Sequence, residues 1–232
     1  MLDDLLDKTI VFSYTNIGYH LRQWRWSDRE REMAGKVCLV TGANAGLGKV
    51  VTTALAERWA EVHMLCRSQE RGENAQQEII AASGNDNIHL HLVDMSKQQS
   101  IRDFVAGFAP GHVDVLVNNA GVLLPERREN DAGIEMTFAT NVLGYFLLTE
   151  LLFEKLAAAE SARVINVTSG GMYTAYVHVD DLLWEQRPYN GTNAYAESKR
   201  AEVIMTQKWA ETWADTDILV HTVHPGWAAT PG

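Results

Sequence analysis

Short apolar, β-branched runs alternate with longer amphipathic ones along most of this chain, and that alternation limits the fold more than any other feature. The strand candidates are KVCLVTG, EVHMLCR, IHLHLVD, VDVLVNNAG, ARVINVTS and DILVHTVHP. Helical patterns separate them: GLGKVVTTALAERWA, QERGENAQQEIIAAS, SKQQSIRDFVAGFA, a long one from about Asp131 to Ala159, and another from about Thr192 to Ala214. Strands joined by helices cannot pair as hairpins, so the pattern predicts βαβ units and a parallel sheet. Right-handed crossovers then give an α/β, doubly wound sheet with helices on both faces. At 232 residues, 46% of them hydrophobic, the chain can bury one large core.

In such folds ligands gather at the carboxyl ends of the strands. The first strand runs into TGANAGLGK, placing Gly42, Gly46 and Gly48 between a strand and a helix start. Missing side chains allow a tight turn and let a pyrophosphate reach amide N–H groups at the helix N-terminus. Asn44, Ala45 and Leu47 complete this turn. Arg67 follows Gly48 by 19 residues, at the end of the second strand. A cofactor with a free ribose 2′-hydroxyl calls for an acidic acceptor there, whereas a guanidinium suits a 2′-phosphate. The expected cofactor is therefore NADP(H), in preference to NAD(H).

The stretch YAESK sets Tyr195 and Lys199 four residues apart, on one face of a helix. A free phenol titrates near ~10, and an ammonium within about 4–6 Å lowers such a value by ~1–3 units. That makes Tyr195 a candidate proton-transfer group. Ser169 closes the fifth strand in INVTSGG, where a hydroxyl can donate to a carbonyl. Asn118, Ala120 and Gly121 lie in NNAG at the end of the fourth strand. Asn141 sits inside a helical pattern, where Asn has no propensity advantage. It either bonds structurally or holds a water that resupplies the proton, and the two are compatible.

These pieces in this order resemble the short-chain dehydrogenase/reductase family, over roughly Gly35 to Gly232. TGANAGLGK, CRS and TSGGM look like its retinol-dehydrogenase-like branch. The resemblance implies hydride transfer between the nicotinamide and a carbonyl or secondary alcohol. It implies that Ser169 orients the carbonyl, Tyr195 transfers the proton, and Lys199 assists Tyr195 and binds the nicotinamide ribose. Asn141 then anchors the relay water. Asp94 meets the adenine, Asn118 the adenosine ribose, and Pro225, Gly226 and Thr230 the nicotinamide. It also implies homo-oligomers through the two long helices. Members of the family normally run beyond PGWAAT into a substrate-covering segment, a seventh strand and a closing helix. The expectation here is six of seven strands, a C-terminally truncated enzyme, or else a catalytically silent NADP-binding isoform.

Ser169 and Tyr195 are separated by 26 residues, a segment carrying Met172, Tyr173, Tyr176 and Trp184. With Trp227 these either line a pocket for a lipid-like or aromatic small-molecule substrate or pack the loop. Residues 1–34 read as an aromatic leader and residues 35–232 as the catalytic domain. The leader lacks the ~20 apolar residues of a spanning helix and is expected to dock on its own domain or, peripherally, on a membrane surface. A net charge of −10 argues against nucleic acid as a partner. The two cysteines, Cys38 and Cys66, read as buried free thiols, consistent with an intracellular, cytoplasmic or peripherally membrane-associated protein. No metal is expected: His89 and His91 read as strand packing.

Overall fold

A computed structural model of the chain describes residues 16–23 and 33–226. The chain divides into two units, Met1–Glu32 and Met33–Gly232. In the first, Asn16–Gln23 forms a helix, α1; of the expected leader, residues 1–15 and 24–32 lie outside the described residues, and Met33 packs with the second unit. Among the described residues no helix is long and apolar enough to cross a membrane.

The second unit carries a six-stranded parallel sheet: β1 (Val37–Thr41), β2 (Glu61–Cys66), β3 (Ile88–Leu92), β4 (Val115–Asn118), β5 (Ala162–Val167) and β6 (Ile218–Val223). Their spatial order is β3-β2-β1-β4-β5-β6. The direction of winding reverses at β1, which leaves a crevice between the carboxyl ends of β1 and β4. Between the strands run α2 (Gly46–Ala56), α3 (Gln69–Ser83) and α4 (Gln98–Gly107). Next come α5 (Met136–Phe138), a π-helical turn (Ala139–Leu143), α6 (Gly144–Leu151), α7 (Phe153–Ala157) and α8 (Gly191–Thr212).

Alternate strand residues feed two separate cores, as both faces of the sheet are covered. Cys38, Val40, Val62 and Met64 pack with Ala56, Ala75 and Ile79 of α2 and α3. Leu39, Leu65, Leu116 and Val164 pack with Ile101, Tyr145, Leu148 and Trp209 from the helices of the other face. Both cysteines are buried free thiols, and burial pushes them up, Cys38 to about 12 and Cys66 to about 11.

The long helix expected from Asp131 to Ala159 is in fact several pieces. Asn130 Oδ1 accepts from the amides of Ala132 and Ile134, closing a turn with Gly133 at φ +75°. The helix then starts where the Glu135 carboxylate accepts from Thr137 N and Phe138 N. One extra residue per turn follows, over Ala139–Leu143, and the chain breaks again at Leu152.

On β2 and β3, ring and carboxylate atoms of Glu61, His63 and His89 lie within 4.8 Å of one another. Each already has a partner: His63 Nε2 with Glu61 (3.0 Å), His63 Nδ1 with His91 (2.9 Å) and His89 Nε2 with Asn87 (2.8 Å). Burial, with His91 and His89 beside it, pushes His63 down to about 4, so its ring is neutral at pH 7.

Candidate active site

The turn after β1 is shaped by backbone rather than side chains. Gly42 has φ +66° and Gly46 φ +53°, left-handed values that glycine alone adopts freely. A Cβ on Gly42 would lie 3.0 Å from Ala120 Cα, and one on Gly48 would lie 2.3 Å from Gly42 O. Thr41 fastens this turn to the end of β4: its hydroxyl accepts from Asn119 N (2.8 Å) and Ala120 N (2.9 Å). At the start of α2, Ala45 supplies no side-chain acceptor, so the first-turn amides are open to an external anion.

Two cavities open here. The first, of about 320 Å³, is walled by Gly42, Asn44, Ala45, Gly46 and Leu47 from the turn, and by Ala120 and Gly121 after β4. Arg67 and Asp94 line it at the ends of β2 and β3, joined by Ser68 and Arg71. The second, of about 550 Å³, is walled by Ser169, Tyr195, Lys199, Pro225 and Gly226, with Leu123 and Leu124 as apolar surface. Leu47, Asn119, Gly121 and Val122 belong to both, so the two are halves of one groove. An elongated ligand with an anionic middle fits it, because bare backbone and a helix N-terminus lie between a basic end and a hydroxyl-bearing end.

Tyr195 and Lys199 both lie on α8. Lys199 is buried, and its Nζ lies 5.5 Å from the centre of the Tyr195 ring. The ammonium donates to Val167 O (2.9 Å) at the end of β5 and to Glu202 Oε1 (2.7 Å). Thr168 Oγ1 donates to Lys199 O (2.8 Å), so strand end and helix are clamped together. Ser169 caps a 3₁₀ turn, Gly170–Thr174, accepting from Gly171 N. Among the described residues no hydrogen bond engages the Tyr195 hydroxyl.

Asn141 lies in the π-helical turn and is fully buried. Its Oδ1 accepts from Val122 N (2.9 Å), and its Nδ2 donates to Val122 O (3.1 Å) and Ser198 Oγ (2.9 Å). Both donors are used, which favours the structural role over side-chain binding of a water. Single π turns inside helices are frequent at functional sites, and this one aims Asn141 at the loop lining the groove.

Several expectations need correction. Asn118 does not face the groove: it is fully buried, and its Nδ2 donates to Thr149 Oγ1 (3.0 Å) and Asn166 Oδ1 (2.9 Å). Its neighbour Asn119 is the wall residue. Gly48 lines neither cavity and instead permits close packing under Gly42. Of the two roles left open for the segment after Ser169, loop packing holds for Met172 and Trp184, which are buried, with the Arg187 guanidinium 3.9 Å over the Trp184 ring; Tyr173 and Tyr176 are exposed, and none of the four lines the groove. Thr230 and Trp227 lie outside the described residues.

Fold, glycine turn and Tyr–Lys pair together define a doubly wound protein with a dinucleotide-type groove. A family model described as short chain dehydrogenase matches residues 36–181. The chain is 41% identical to dehydrogenase/reductase SDR family member 12 of Homo sapiens over 94% of its own length and 69% of that protein's. It is 39% identical to retinol dehydrogenase 11 of Homo sapiens, over 84% of this chain and 62% of the other. Among solved structures, a metagenomic short-chain oxidoreductase in complex with NADP matches with TM-score 0.69 and 28% identity, covering 84% of each chain. The chain belongs to the short-chain dehydrogenase/reductase family of oxidoreductases.

Proposed function

We propose that the protein transfers hydride between NADP(H), preferred over NAD(H), and the carbonyl or secondary alcohol carbon of a lipid-like or aromatic molecule. The observation that carries this reading is the Tyr195–Lys199 pair in the wall of a groove that continues to the glycine turn and Arg67. When bound, the dinucleotide supplies or takes the hydride. The protein's own part is orientation and proton handling.

Arg67 and Arg71 flank the end of the groove where a 2′-phosphate would meet paired cations. The open amides of α2 would receive the pyrophosphate. At the other end, the Ser169 hydroxyl donates to the substrate oxygen and Tyr195 supplies its proton in reduction or removes it in oxidation. Lys199 sets a buried positive charge beside the Tyr195 ring, 5.5 Å from its centre. Asn141 ties the Val122 segment to α8, so the groove and its proton-transfer face keep their relative positions. Leu123 and Leu124 give the substrate end its apolar character, and the retinol dehydrogenase relatives support an apolar substrate. The exposed Phe146 and Ile204, on α6 and α8, support self-association along those helices, which light scattering would read.

The test is NADPH consumption by the purified protein over a panel of retinoid, aliphatic and aromatic carbonyls. Turnover is expected with NADPH well above NADH. Absence of turnover on every carbonyl, with NADPH demonstrably bound, would overturn the catalytic reading.

A further inference from the structure

Beneath the Tyr195–Lys199 pair lies a carboxyl group that the proposed reaction does not use. Glu202 follows Lys199 by three residues on α8, is wholly buried, and accepts from Lys199 Nζ at 2.7 Å through Oε1. Its other oxygen, Oε2, has no hydrogen-bond partner among the described residues. Two more partnerless polar atoms belong to the surrounding layer: the Tyr145 hydroxyl on α6, whose ring centre is 5.5 Å from Lys199 Nζ, and Asn118 Oδ1 on β4. Below them Asn118, Asn166, Thr206 and the Glu202 carbonyl form a continuous hydrogen-bonded run. A half-satisfied buried carboxyl is costly in a helix that packing alone would fill with an apolar residue.

We propose that Glu202 is a positioning residue that acts through Lys199, holding the ammonium in place and setting how much of its positive charge reaches Tyr195. The inference rests on the reading of Tyr195 as the proton-transfer group. A neutral Glu202 carboxyl leaves the Lys199 charge uncompensated beside the phenol. An ionised one cancels much of it at 2.7 Å, in surroundings where water screens little. The titratable groups around Glu202 are Lys199 and Tyr195 on α8 and Tyr145 on α6; β4 and β5 present Asn118, Asn166 and the Val167 carbonyl, which do not titrate. Burial pushes the Glu202 carboxyl up, against the pull of Lys199.

The experiment reads the Tyr195 phenolate directly, by ultraviolet difference spectroscopy of the full chain against pH. Subtracting Tyr195→Phe isolates its signal from the other tyrosines, and the same subtraction is made in the Glu202→Gln background. Glutamine keeps an acceptor for Lys199 but removes the charge. The expected result is a phenolate midpoint at least about half a pH unit lower in Glu202→Gln, the size that ~0.7 kcal/mol of altered interaction produces. Glu202→Met, uncharged and similar in length, must shift it the same way. An unmoved or raised midpoint in folded variants overturns the inference, since a merely structural carboxyl would change only the melting temperature. Because the midpoint needs no turnover, the outcomes separate. A shifted midpoint in a chain that reduces no carbonyl sinks the catalytic reading alone, and an active chain with an unmoved midpoint sinks this one alone.

Discussion

Asn141 and Ser198 are joined by a 2.9 Å hydrogen bond that links the π-helical turn to the helix carrying Tyr195. With the two bonds to Val122, the Asn141 side chain connects three segments around the groove. Asn141→Ala would leave the Val122 amide and carbonyl without their partner, a loss of about 1–3 kcal/mol each when such groups stay buried. We expect a lower melting temperature together with a kcat reduced at least about tenfold, since misplacing reacting groups slows chemistry even where binding survives. Steady-state kinetics beside thermal melts would check both.

Tyr195→Phe keeps the ring and deletes the proton. General acid–base catalysis is typically worth about 10²–10⁴-fold, so kcat should fall by that factor with NADPH affinity within about threefold of the parent. Fluorescence titration and turnover on one substrate suffice. A variant retaining a tenth of the activity would mean that another group moves the proton.

Arg67 should decide between the two nicotinamide dinucleotides. Arg67→Asp exchanges a donor fork for an acceptor, so the ratio of kcat/KM for NADPH over NADH is expected to drop at least about 100-fold, roughly the loss of one charge-assisted pair. Arg71 lines the same cavity and would leave a residual preference. An unchanged ratio would place the discriminating contact elsewhere.

Gly48 and Gly107 make a matched pair. A Cβ on Gly48 meets Gly42 O at 2.3 Å, whereas one on Gly107 meets nothing within 4 Å. Gly48→Ala should cost about 1–3 kcal/mol, as forced overpacking does. Gly107→Ala, at the end of α4, should be neutral or stabilising by about 0.4–1 kcal/mol. Chemical denaturation of both variants would show whether the tight glycine is a matter of space or merely of helix position.

His63 sets a pH dependence whose sign follows from its lowered value. The folded protein disfavours the charged ring, so this group's contribution is complete above the ordinary 6.5 and is lost as pH falls toward about 4. His63→Gln should flatten the fall of melting temperature across that window, by roughly 2–4 °C, the size of a 1 kcal/mol effect in a domain this large. Parallel curves for parent and variant would show that His63 has no part in acid sensitivity.

How far these features were readable from residues alone depended on local punctuation. Helix α3 was legible to its ends, Gln69 to Ser83, because Ser68 caps its start and Gly84 takes a left-handed φ of +71° after its close. The Asp131–Ala159 stretch was misread, since apolar periodicity barely registers the one-residue slip of the Ala139–Leu143 turn or the carboxylate cap at Glu135. In NNAG the two asparagines are adjacent, and only strand register decides that Asn119, not Asn118, reaches the groove. Glu202 went unnoticed because a charge on a long helix ordinarily faces water. Here α8 is covered by both the sheet and α6, so its polar and apolar residues do not segregate to opposite sides.

The position of β1 at the reversal of the sheet has a consequence for how such a protein diversifies. The glycine turn, Arg67 and Asp94 hang from β1, β2 and β3, with the Asn119–Val122 segment after β4 as their shared wall, while the hydroxyl, the phenol and the apolar wall hang from β4, β5 and the helix that follows. The Thr41 hydroxyl is the rivet between those halves. Loops on one flank can therefore be rewritten for a new metabolite while the other flank goes on holding the same coenzyme.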